Sequence, residues 1–316
     1  MKTPMLSPNS AGGLAGISRT AVYNRIKQHK IECPKHGGGT NTILTFNESR
    51  KIFYKPETKT TKKLSIHIVK GGVGKTVVAV NLACCLNAFG FRVLVIDADP
   101  QANLTDNFSI DSIEEKTPIL IDYVKNDKCA SKKTLAHVCD GLDLIPSRID
   151  NVLLDHALML AGTPVKEFFD DLLINIIDDY DFVLIDCPPA LGQIVSCTYM
   201  FSDYILAPLN PDKYSNKAME ILKKEDRRLK KLHKKNIKYK VFLNKFTPQT
   251  ILSAQAVSQI MHDEELMGNK METIIRQSQE VSNYAKNDES LFSSIKKTEI
   301  REDFEMFAKE VIELEV

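Results

Sequence analysis

A lysine- and glycine-rich heptapeptide at 70–76 is the feature of this sequence that most constrains its fold. It reads Lys-Gly-Gly-Val-Gly-Lys-Thr, follows an apolar run at 64–69 and precedes a helical pattern at 76–88. This order predicts a strand, a glycine loop and a helix. Three glycines permit a tight turn whose N–H groups face phosphate oxygens, and the helix N-terminus adds partial positive charge there. The heptapeptide therefore predicts a phosphate-binding loop.

Each residue of the loop has an expected role in holding a nucleotide. Lys75 is placed to reach the β- and γ-phosphates, and the Thr76 hydroxyl is placed to bind Mg²⁺. The ordinary loop has a glycine six residues before its lysine, but this chain has Val69 there and opens the loop with a second lysine, Lys70. A glycine-rich turn with incidental lysines is the alternative. The predicted nucleotide-binding residues in the loop are Gly71, Gly72, Val73, Gly74, Lys75, Thr76 and Val77.

Acidic residues follow two of the predicted strands. The strand at 92–96 continues into Asp97 and Asp99, and the strand at 181–185 ends in Asp186, which precedes two prolines. Carboxylates beside a phosphate loop suit Mg²⁺ coordination, directly or through water, or polarisation of an attacking water. Local Asx-type turns are the alternative for these acids. Asn244 ends another strand, where its amide could recognise an adenine edge or simply form a turn.

Short apolar strands alternate with longer helical patterns from residue 64 onward. This alternation predicts an α/β fold with a doubly wound, mostly parallel sheet, in which ligands bind at the carboxyl ends of the strands. No apolar run approaches the length of a membrane span, and the seven cysteines form no CxxC pair, as expected in a reducing cytosol. The predicted strands lie at 64–69, 92–96, 142–145, 181–185, 204–207 and 239–243, and the clearest helices at 76–88, 165–178, 214–235 and 299–314.

The net charge of +1 hides a basic N-terminal region. Residues 1–63 carry 12 Lys/Arg against three Glu and no Asp. Residues 55–63 are polar, charged and contain a proline, which predicts a linker. The expected organisation is therefore a small module at 1–54, the linker at 55–63 and a nucleotide-binding domain at 64–316.

The N-terminal region has the pattern of a helix-turn-helix. Gly16 suits the turn, Ser18 suits the N-cap of the second helix, and Val22 and Ile26 share its inner face. The region resembles a small MerR-like DNA-binding module, with a wing expected around 37–44 and a closing helix at 45–53. A basic, partly ordered tail is the alternative. The predicted DNA contacts are Arg19, Thr20, Tyr23, Asn24 and Lys27.

A second basic region lies at 222–240, which holds ten Lys/Arg against two acids. Leucines at 222, 229 and 232 predict a narrow apolar stripe on a helix, with the basic residues on the exposed side. This face is either a solvated surface or a sequence-independent DNA track. The C-terminal residues 304–316 form an acidic amphipathic pattern, unlike the basic helices that target membranes. The predicted DNA contacts on the basic helix are Arg227, Arg228, Lys230 and Lys231.

Together these motifs resemble the ParA-type ATPases, the deviant-Walker group that also includes MinD and the nitrogenase iron protein. The matching segments are 70–76, 97–103, 182–189 and 243–245, with a weaker match at 273–285. The resemblance spans about residues 64–300. Departures occur at Val77, where the family usually has a hydroxyl residue, and in 273–285, which lacks the usual proline and acidic residue.

The resemblance implies an ATP- and Mg²⁺-dependent sandwich homodimer. In it, Lys70 reaches the ATP of the partner subunit, Lys75 and Thr76 serve phosphate and Mg²⁺, Asp99 positions the hydrolytic water, and Asp186 lies in the second switch. Arg276 becomes a further candidate for DNA contact. The implied partners are non-specific nucleoid DNA, the protein's own operator and a ParB-like centromere-binding protein that stimulates slow hydrolysis. The expected location is cytoplasmic and nucleoid-associated.

These features favour a DNA-partition ATPase over three alternatives. An ATP-sensing transcriptional repressor with little hydrolysis would need the same loop, but Asp99 and Asp186 favour turnover. The basic N-terminus and acidic C-terminus argue against a MinD-like positioning ATPase. An iron–sulfur reductase needs cysteines matched across a dimer, and the cysteine positions do not fit that arrangement.

Overall fold

The structure is a computed structural model. It describes residues 1–35, 41–53, 60–108, 116–126, 129–212, 215–248 and 268–316, with scattered positions between 250 and 266. The described residues form a seven-stranded sheet in the order β3-β4-β2-β5-β1-β6-β7, parallel except for the β3–β4 pair. The strands are β1 (Lys62–Ile66), β2 (Val93–Asp97), β3 (Ala136–Cys139), β4 (Leu142–Ile145), β5 (Phe182–Asp186), β6 (Tyr204–Leu209) and β7 (Tyr239–Leu243).

Helices cover both faces of this sheet. The N-terminal region contributes three helices, and the others connect or follow the strands. The helices are α1 (Pro8–Ala15), α2 (Arg19–Gln28), α3 (Phe46–Phe53), α4 (Lys75–Ala88), α5 (Asn103–Phe108), α6 (Leu120–Asn126), α7 (Leu154–Leu160), α8 (Phe168–Leu173), α9 (Gln193–Phe201), α10 (Ser215–His233), α11 (Gln279–Ala285) and α12 (Glu299–Glu313).

The continuous apolar runs form the centre of the sheet, because their side chains are buried on both faces. Every residue of β2 and β5 is buried. One face packs against a core built largely from α7, α8 and α9, and the other against a core that contains α4 and α12. This arrangement confirms the predicted α/β fold with a mostly parallel sheet and places the carboxyl ends of β1, β2 and β5 at one edge.

The predicted boundaries require several corrections. Lys62 and Lys63, expected in the linker, pair with Phe182 and Val183 as the start of β1, since strand pairing uses the backbone whatever the side chain. The strand ends at Ile66, not at residue 69. The helix expected at 165–178 is only Phe168–Leu173, and the antiparallel edge strand β3 was not predicted. Residues 55–59 of the predicted linker lie outside the described residues.

The N-terminal helices show the expected local geometry. Gly16 ends α1 in the left-handed conformation (φ 65°), and the Ser18 side chain accepts a hydrogen bond from the Ala21 backbone at the start of α2. Val22 is buried and Ile26 packs against the core. Of the predicted wing, residues 36–40 lie outside the described residues.

These helices share a hydrophobic core with the rest of the chain. Leu6, Leu14, Val22 and Ile52 belong to the same buried cluster as α4. Polar contacts reinforce this packing. Arg301 of α12 is 2% exposed and donates to the Met5 carbonyl oxygen, and Arg50 of α3 donates to the Gly90 carbonyl oxygen. The assignment of residues 1–54 as a DNA-binding module stays a prediction.

The two predicted amphipathic segments, in α10 and α12, differ in how far their apolar residues are buried. In α10, Leu222 and Leu229 are buried, but Leu232 is 60% exposed, so the predicted apolar stripe ends one turn early. In α12, Phe304 and Phe307 are fully buried against the domain, as expected. No helix in the described part of the chain is long and apolar enough to cross a membrane.

Candidate functional site

The loop at 70–74 joins β1 to α4 and depends on glycine at two positions. Gly72 and Gly74 have φ values of 71° and 86°, the left-handed region that glycine adopts without steric cost. A Cβ on Gly74 would also lie 2.7 Å from the Asn244 amide nitrogen. Gly74 is the N-cap of α4, so the unpaired N–H groups of the first turn face the loop. This geometry would suit a phosphate group, and phosphate binding by these residues stays a prediction.

Lys75 lies beneath this loop with its charge largely desolvated. Its side chain is 7% exposed, and its Nζ donates to the Lys70 carbonyl oxygen at 3.1 Å. Burial lowers the pKa of Lys75, and the nearby Asp186 opposes that effect. A cation held against loop carbonyl groups is poised to bind an anionic ligand in the same cradle.

Two acids meet where β2 and β5 end. Asp97 and Asp186 are register partners in the sheet, and the Thr76 hydroxyl donates to Asp186 Oδ2 at 2.7 Å. Burial raises the pKa of Asp97 to about 7, and the charge of Asp99 adds to this effect. Burial also raises the pKa of Asp186 well above its usual value, and the charges of Asp97 and Asp99 add to it. Without a cation beside them, the ionised forms of these two acids are therefore disfavoured.

An oxygen atom of this pair of acids remains available to a divalent cation. Asp186 Oδ1 is buried and has no hydrogen-bond partner among the described residues. Asp97 is more fully occupied, since its Oδ2 accepts from the Thr105 backbone and hydroxyl at 2.9 and 2.7 Å. No group of three His, Cys, Asp or Glu side chains suited to a metal occurs within the described ranges. A cation here would thus rely on Thr76, Asp186, water and phosphate oxygens, as Mg²⁺ commonly does.

Asp99 differs from these acids because it is partly exposed. Its Oδ1 accepts from the Gln101 backbone at 3.0 Å, and its carbonyl oxygen accepts from the Ser147 hydroxyl at 2.7 Å. The carboxylate is therefore anchored by the turn after β2 while remaining open to solvent. This placement suits an acid that orients a water molecule.

Lys70 is ion-paired within its own chain. Its Nζ contacts both carboxylate oxygens of Asp212, and the two side chains are 17% and 32% exposed. Asp212 follows β6, at the same edge of the sheet as the phosphate loop. Sequence reasoning did not single out Asp212, because it lies three residues beyond the end of β6, whereas Asp97 and Asp186 stand at the ends of their strands.

Asn244 supports the phosphate loop from the adjacent strand end. Its side-chain amide is buried and donates to the Val73 carbonyl oxygen at 2.7 Å, while Lys245 Nζ donates to the Gly72 carbonyl oxygen at 2.7 Å. A cleft of about 120 Å³ opens beside them. Its apolar and polar lining includes Val77, Ile275, Gln277, Val281 and Phe304. The adenine contact of Asn244 stays a prediction, because in this structure its side-chain amide donates a hydrogen bond to the phosphate loop.

The predicted DNA contacts lie on α2, on α10 and, for Arg276, in the segment that precedes α11. On α2, Arg19, Thr20, Asn24 and Lys27 are exposed, and Tyr23 is partly exposed beneath the Arg19 guanidinium. On α10, Arg227, Arg228, Lys230 and Lys231 are all exposed.

Two of the predicted arginines have acidic partners. Arg228 forms a two-point contact with Glu225, at 2.9 and 2.5 Å. Arg276 forms a similar contact with Asp303, at 2.8 and 2.9 Å, and also pairs with Glu299. Both cations would have to share or leave these partners to bind a phosphate backbone.

The sequence is similar to known partition and sporulation proteins. Residues 61–241 match a family model described as an AAA domain. The chain is 32% identical to the sporulation initiation inhibitor protein Soj of Bacillus subtilis over 51% of this chain and 63% of Soj. It is 36% identical to the chromosome partitioning protein ParA of Caulobacter vibrioides over 46% of this chain and 55% of ParA. Each match spans less than two thirds of the relative's length.

Solved structures share the fold over most of the chain. A plasmid partition protein from Borrelia burgdorferi has a TM-score of 0.62 at 20% identity and covers 81% of this chain and 99% of its own. The cobyrinic acid a,c-diamide synthase from Mycobacterium smegmatis, solved with an ATP analog and magnesium, has a TM-score of 0.66 at 20% identity and covers 80% and 95%. At this identity the likeness concerns the fold.

Proposed function

The chain belongs to the ParA/MinD superfamily of AAA-domain proteins, and from this premise we propose that it is a DNA-partition ATPase. ATP and Mg²⁺ bind at the loop of 70–76, two subunits close around the nucleotides, and the dimer binds DNA. A ParB-like centromere-binding protein then stimulates hydrolysis and release, during segregation of a plasmid or chromosome. The protein acts in the cytoplasm on the nucleoid.

The observation that carries this proposal is the meeting of Lys75, Thr76 and Asp186 under one glycine loop. Thr76 already contacts Asp186, whose second oxygen is buried without a partner in the described structure. Mg²⁺ bound there would neutralise charge on the β- and γ-phosphates. Lys75 binds the same phosphates, and Asp99 orients the water that attacks the γ-phosphorus. Lys70 supplies a cation to the partner's transferring phosphoryl group.

Self-association is supported by exposed apolar side chains near Asp99. Ile149, Val152 and Leu153 are 65%, 64% and 56% exposed. They lie two to six residues after Ser147, whose hydroxyl donates to the Asp99 carbonyl oxygen. Leu191, after the second switch, is 44% exposed. Monomeric proteins seldom leave contiguous large apolar surfaces in water. We assign these residues to the interface of the ATP-bound homodimer.

The basic surfaces support DNA as the partner. The exposed Lys and Arg side chains of α10 suit phosphate contacts without sequence preference. The exposed face of α2 suits a specific operator, which would make the protein an autorepressor. Non-specific DNA binding by α10 and operator binding by α2 are separate parts of the proposal, and neither depends on the other.

Steady-state ATP hydrolysis by wild type and Asp99→Ala tests the proposal. Wild type should hydrolyse ATP slowly and accelerate when non-specific duplex DNA and the product of the neighbouring gene are added together. Asp99→Ala should lose about 100-fold or more of that rate while its affinity for ATP stays within about twofold, because Asp99 orients water but does not hold phosphate.

Asp170→Ala, which removes an exposed acid on α8, is the matched control and should hydrolyse ATP at the wild-type rate. ATP binding with no turnover that depends on Asp99, under every combination of DNA and partner, would contradict the partition cycle. That outcome would favour the ATP-sensing repressor.

A further inference from the structure

His67 lies between the phosphate loop and the second switch, and the proposed chemistry does not use it. It is the first residue after β1 and is fully buried. Its backbone N–H donates to the Leu206 carbonyl oxygen at 3.1 Å, so its position is fixed by the sheet. Its Nδ1 lies 2.5 Å from the hydroxyl of Tyr199 on α9, and the two rings meet edge-on at 5.3 Å.

The surroundings of His67 determine where its single proton lies. Burial, aided by the charge of Lys75, lowers the pKa of His67 to about 3, so the ring is neutral. Burial also raises the pKa of Tyr199, which keeps its hydroxyl protonated. If that hydroxyl donates to Nδ1, its own requirement is met and the imidazole proton lies on Nε2.

This assignment directs a buried N–H towards the backbone of Pro188 and Ala190. No contact of His67 Nε2 to a described residue has the geometry of a full hydrogen bond. The backbone groups of Pro188 and Ala190 still interact with the ring and oppose the fall in its pKa, so these contacts are poorly formed, not absent. Both residues belong to the segment that follows Asp186, the acid that now holds Thr76. A buried unsatisfied N–H costs free energy that a small shift of this segment would recover.

We propose that His67 is a positioning residue that couples the segment 188–190 to the nucleotide. With a triphosphate bound, the segment shifts and a backbone carbonyl accepts a well-formed Nε2 hydrogen bond, whereas in the described state the contacts to Pro188 and Ala190 fall short of that geometry. Residues 189–191 are exposed on their outer side, so the shift does not require the core to open. Tyr199 carries the same signal to α9. This inference rests on the proposed function.

The physical basis is differential stabilisation of two states. A ligand shifts a conformational equilibrium only through interactions that differ between the states. Here the Nε2 hydrogen bond is well formed in one state and poorly formed in the other. A single buried hydrogen bond of this kind corresponds to a change of about tenfold in an equilibrium constant.

The test is the ratio of affinities for a non-hydrolysable ATP analogue and for ADP, measured by titration calorimetry with Mg²⁺. The double variant His67→Leu/Tyr199→Phe removes the paired groups together and leaves no new orphan. Its affinity for the analogue should fall about 5- to 10-fold, its affinity for ADP should stay within about twofold, and its melting temperature should not drop. A residue that only supports the loop would change both affinities equally.

Two further variants distinguish the mechanism from a general packing effect. His67→Gln keeps an amide donor and should recover most of the wild-type ratio. Ser202→Ala removes another buried polar atom without a partner in the described structure, at the end of α9, and should leave the ratio unchanged. An unchanged ratio in the double variant overturns the inference.

Should the double variant fail to fold, Tyr199→Phe alone decides the question. This substitution removes the hydroxyl that donates to His67 Nδ1, so the imidazole proton is no longer held on Nε2. The ratio of affinities for the ATP analogue and ADP should then fall about two- to threefold. An unchanged ratio in Tyr199→Phe then overturns the inference. Wild type that binds neither nucleotide overturns the proposed function itself, which separates the two failures.

Discussion

Lys70 and Asp212 form an ion pair within one chain, with Lys70 Nζ at 2.5 Å from Asp212 Oδ1. Lys70 is the lysine proposed to act on the partner subunit's ATP, so the described conformation directs it to its own chain instead. Both side chains are partly exposed, which keeps the interaction modest and reversible. In the proposed dimer, this ion pair would therefore compete with the contact of Lys70 to the partner subunit's ATP.

Asp212→Ala should strengthen the ATP-dependent dimer. Because one ion pair per subunit must open on closure, removing both should lower the dimer dissociation constant by about three- to tenfold. Sedimentation equilibrium with a non-hydrolysable ATP analogue measures this constant. Glu289→Ala, which removes the acid of the surface pair with Lys2, is the control and should have no effect. A weaker dimer in Asp212→Ala would mean that Asp212 acts within the closed state.

Neutralising the exposed face of α10 should weaken binding to duplex DNA. The triple variant Arg227→Ala/Lys230→Ala/Lys231→Ala should reduce the slope of log affinity against log salt by up to about three, because each phosphate contact releases counterions. Fluorescence anisotropy with a random duplex at several salt concentrations gives the slope. Arg228→Ala should change the slope less than Arg227→Ala, Lys230→Ala or Lys231→Ala made singly, since Glu225 already pairs with the Arg228 guanidinium. Equal slopes for triple variant and wild type would place the DNA surface elsewhere.

The contact between α3 and the turn after α4 should contribute to global stability. Gly90 has a φ of 97°, and a Cβ there would lie 2.4 Å from the Arg50 backbone nitrogen. Gly162 has a φ of 63° but open space around it, so an alanine there adds backbone strain without a steric clash and serves as the control. Gly90→Ala should lower the free energy of unfolding by about 2 kcal/mol more than Gly162→Ala. Urea unfolding compares them, and equal losses would show that the N-terminal helices are not integral to the fold.

His67 should make the nucleotide-free protein less stable in mild acid. Its pKa is about 3 in the folded state against an ordinary 6.5, so between these values the unfolded chain binds a proton that the folded chain excludes. Stability from this group is complete above pH 6.5 and falls as the pH drops towards 3. From pH 7 to pH 5, wild type should lose about 2 kcal/mol more than His67→Leu/Tyr199→Phe. Urea unfolding at both pH values checks this, and parallel losses would exclude a buried neutral histidine.

The sequence alone determined the fold class and the phosphate loop, because both depend on local patterns. Continuous apolar runs separated by helical periods specify strands buried on two faces, and the glycines of 70–76 specify the backbone of the turn. The acids at 97, 99 and 186 were also predictable, since parallel strands deliver their carboxyl ends to one edge. Boundaries were less predictable: Lys62 and Lys63 join β1 through backbone pairing that their polarity hides.

Only the tertiary structure decided which of these groups pair with other side chains of the chain and which do not. Asp212 reaches Lys70, Asp303 reaches Arg276, and Tyr199 reaches His67 across large separations in the chain. No periodicity encodes such pairings, because they depend on how helices and strand ends pack around one another. The packing of α1–α3 into the core of α4 and α12 is of the same kind. Sequence specified the chemical groups, and burial and distance then set their protonation and their partners.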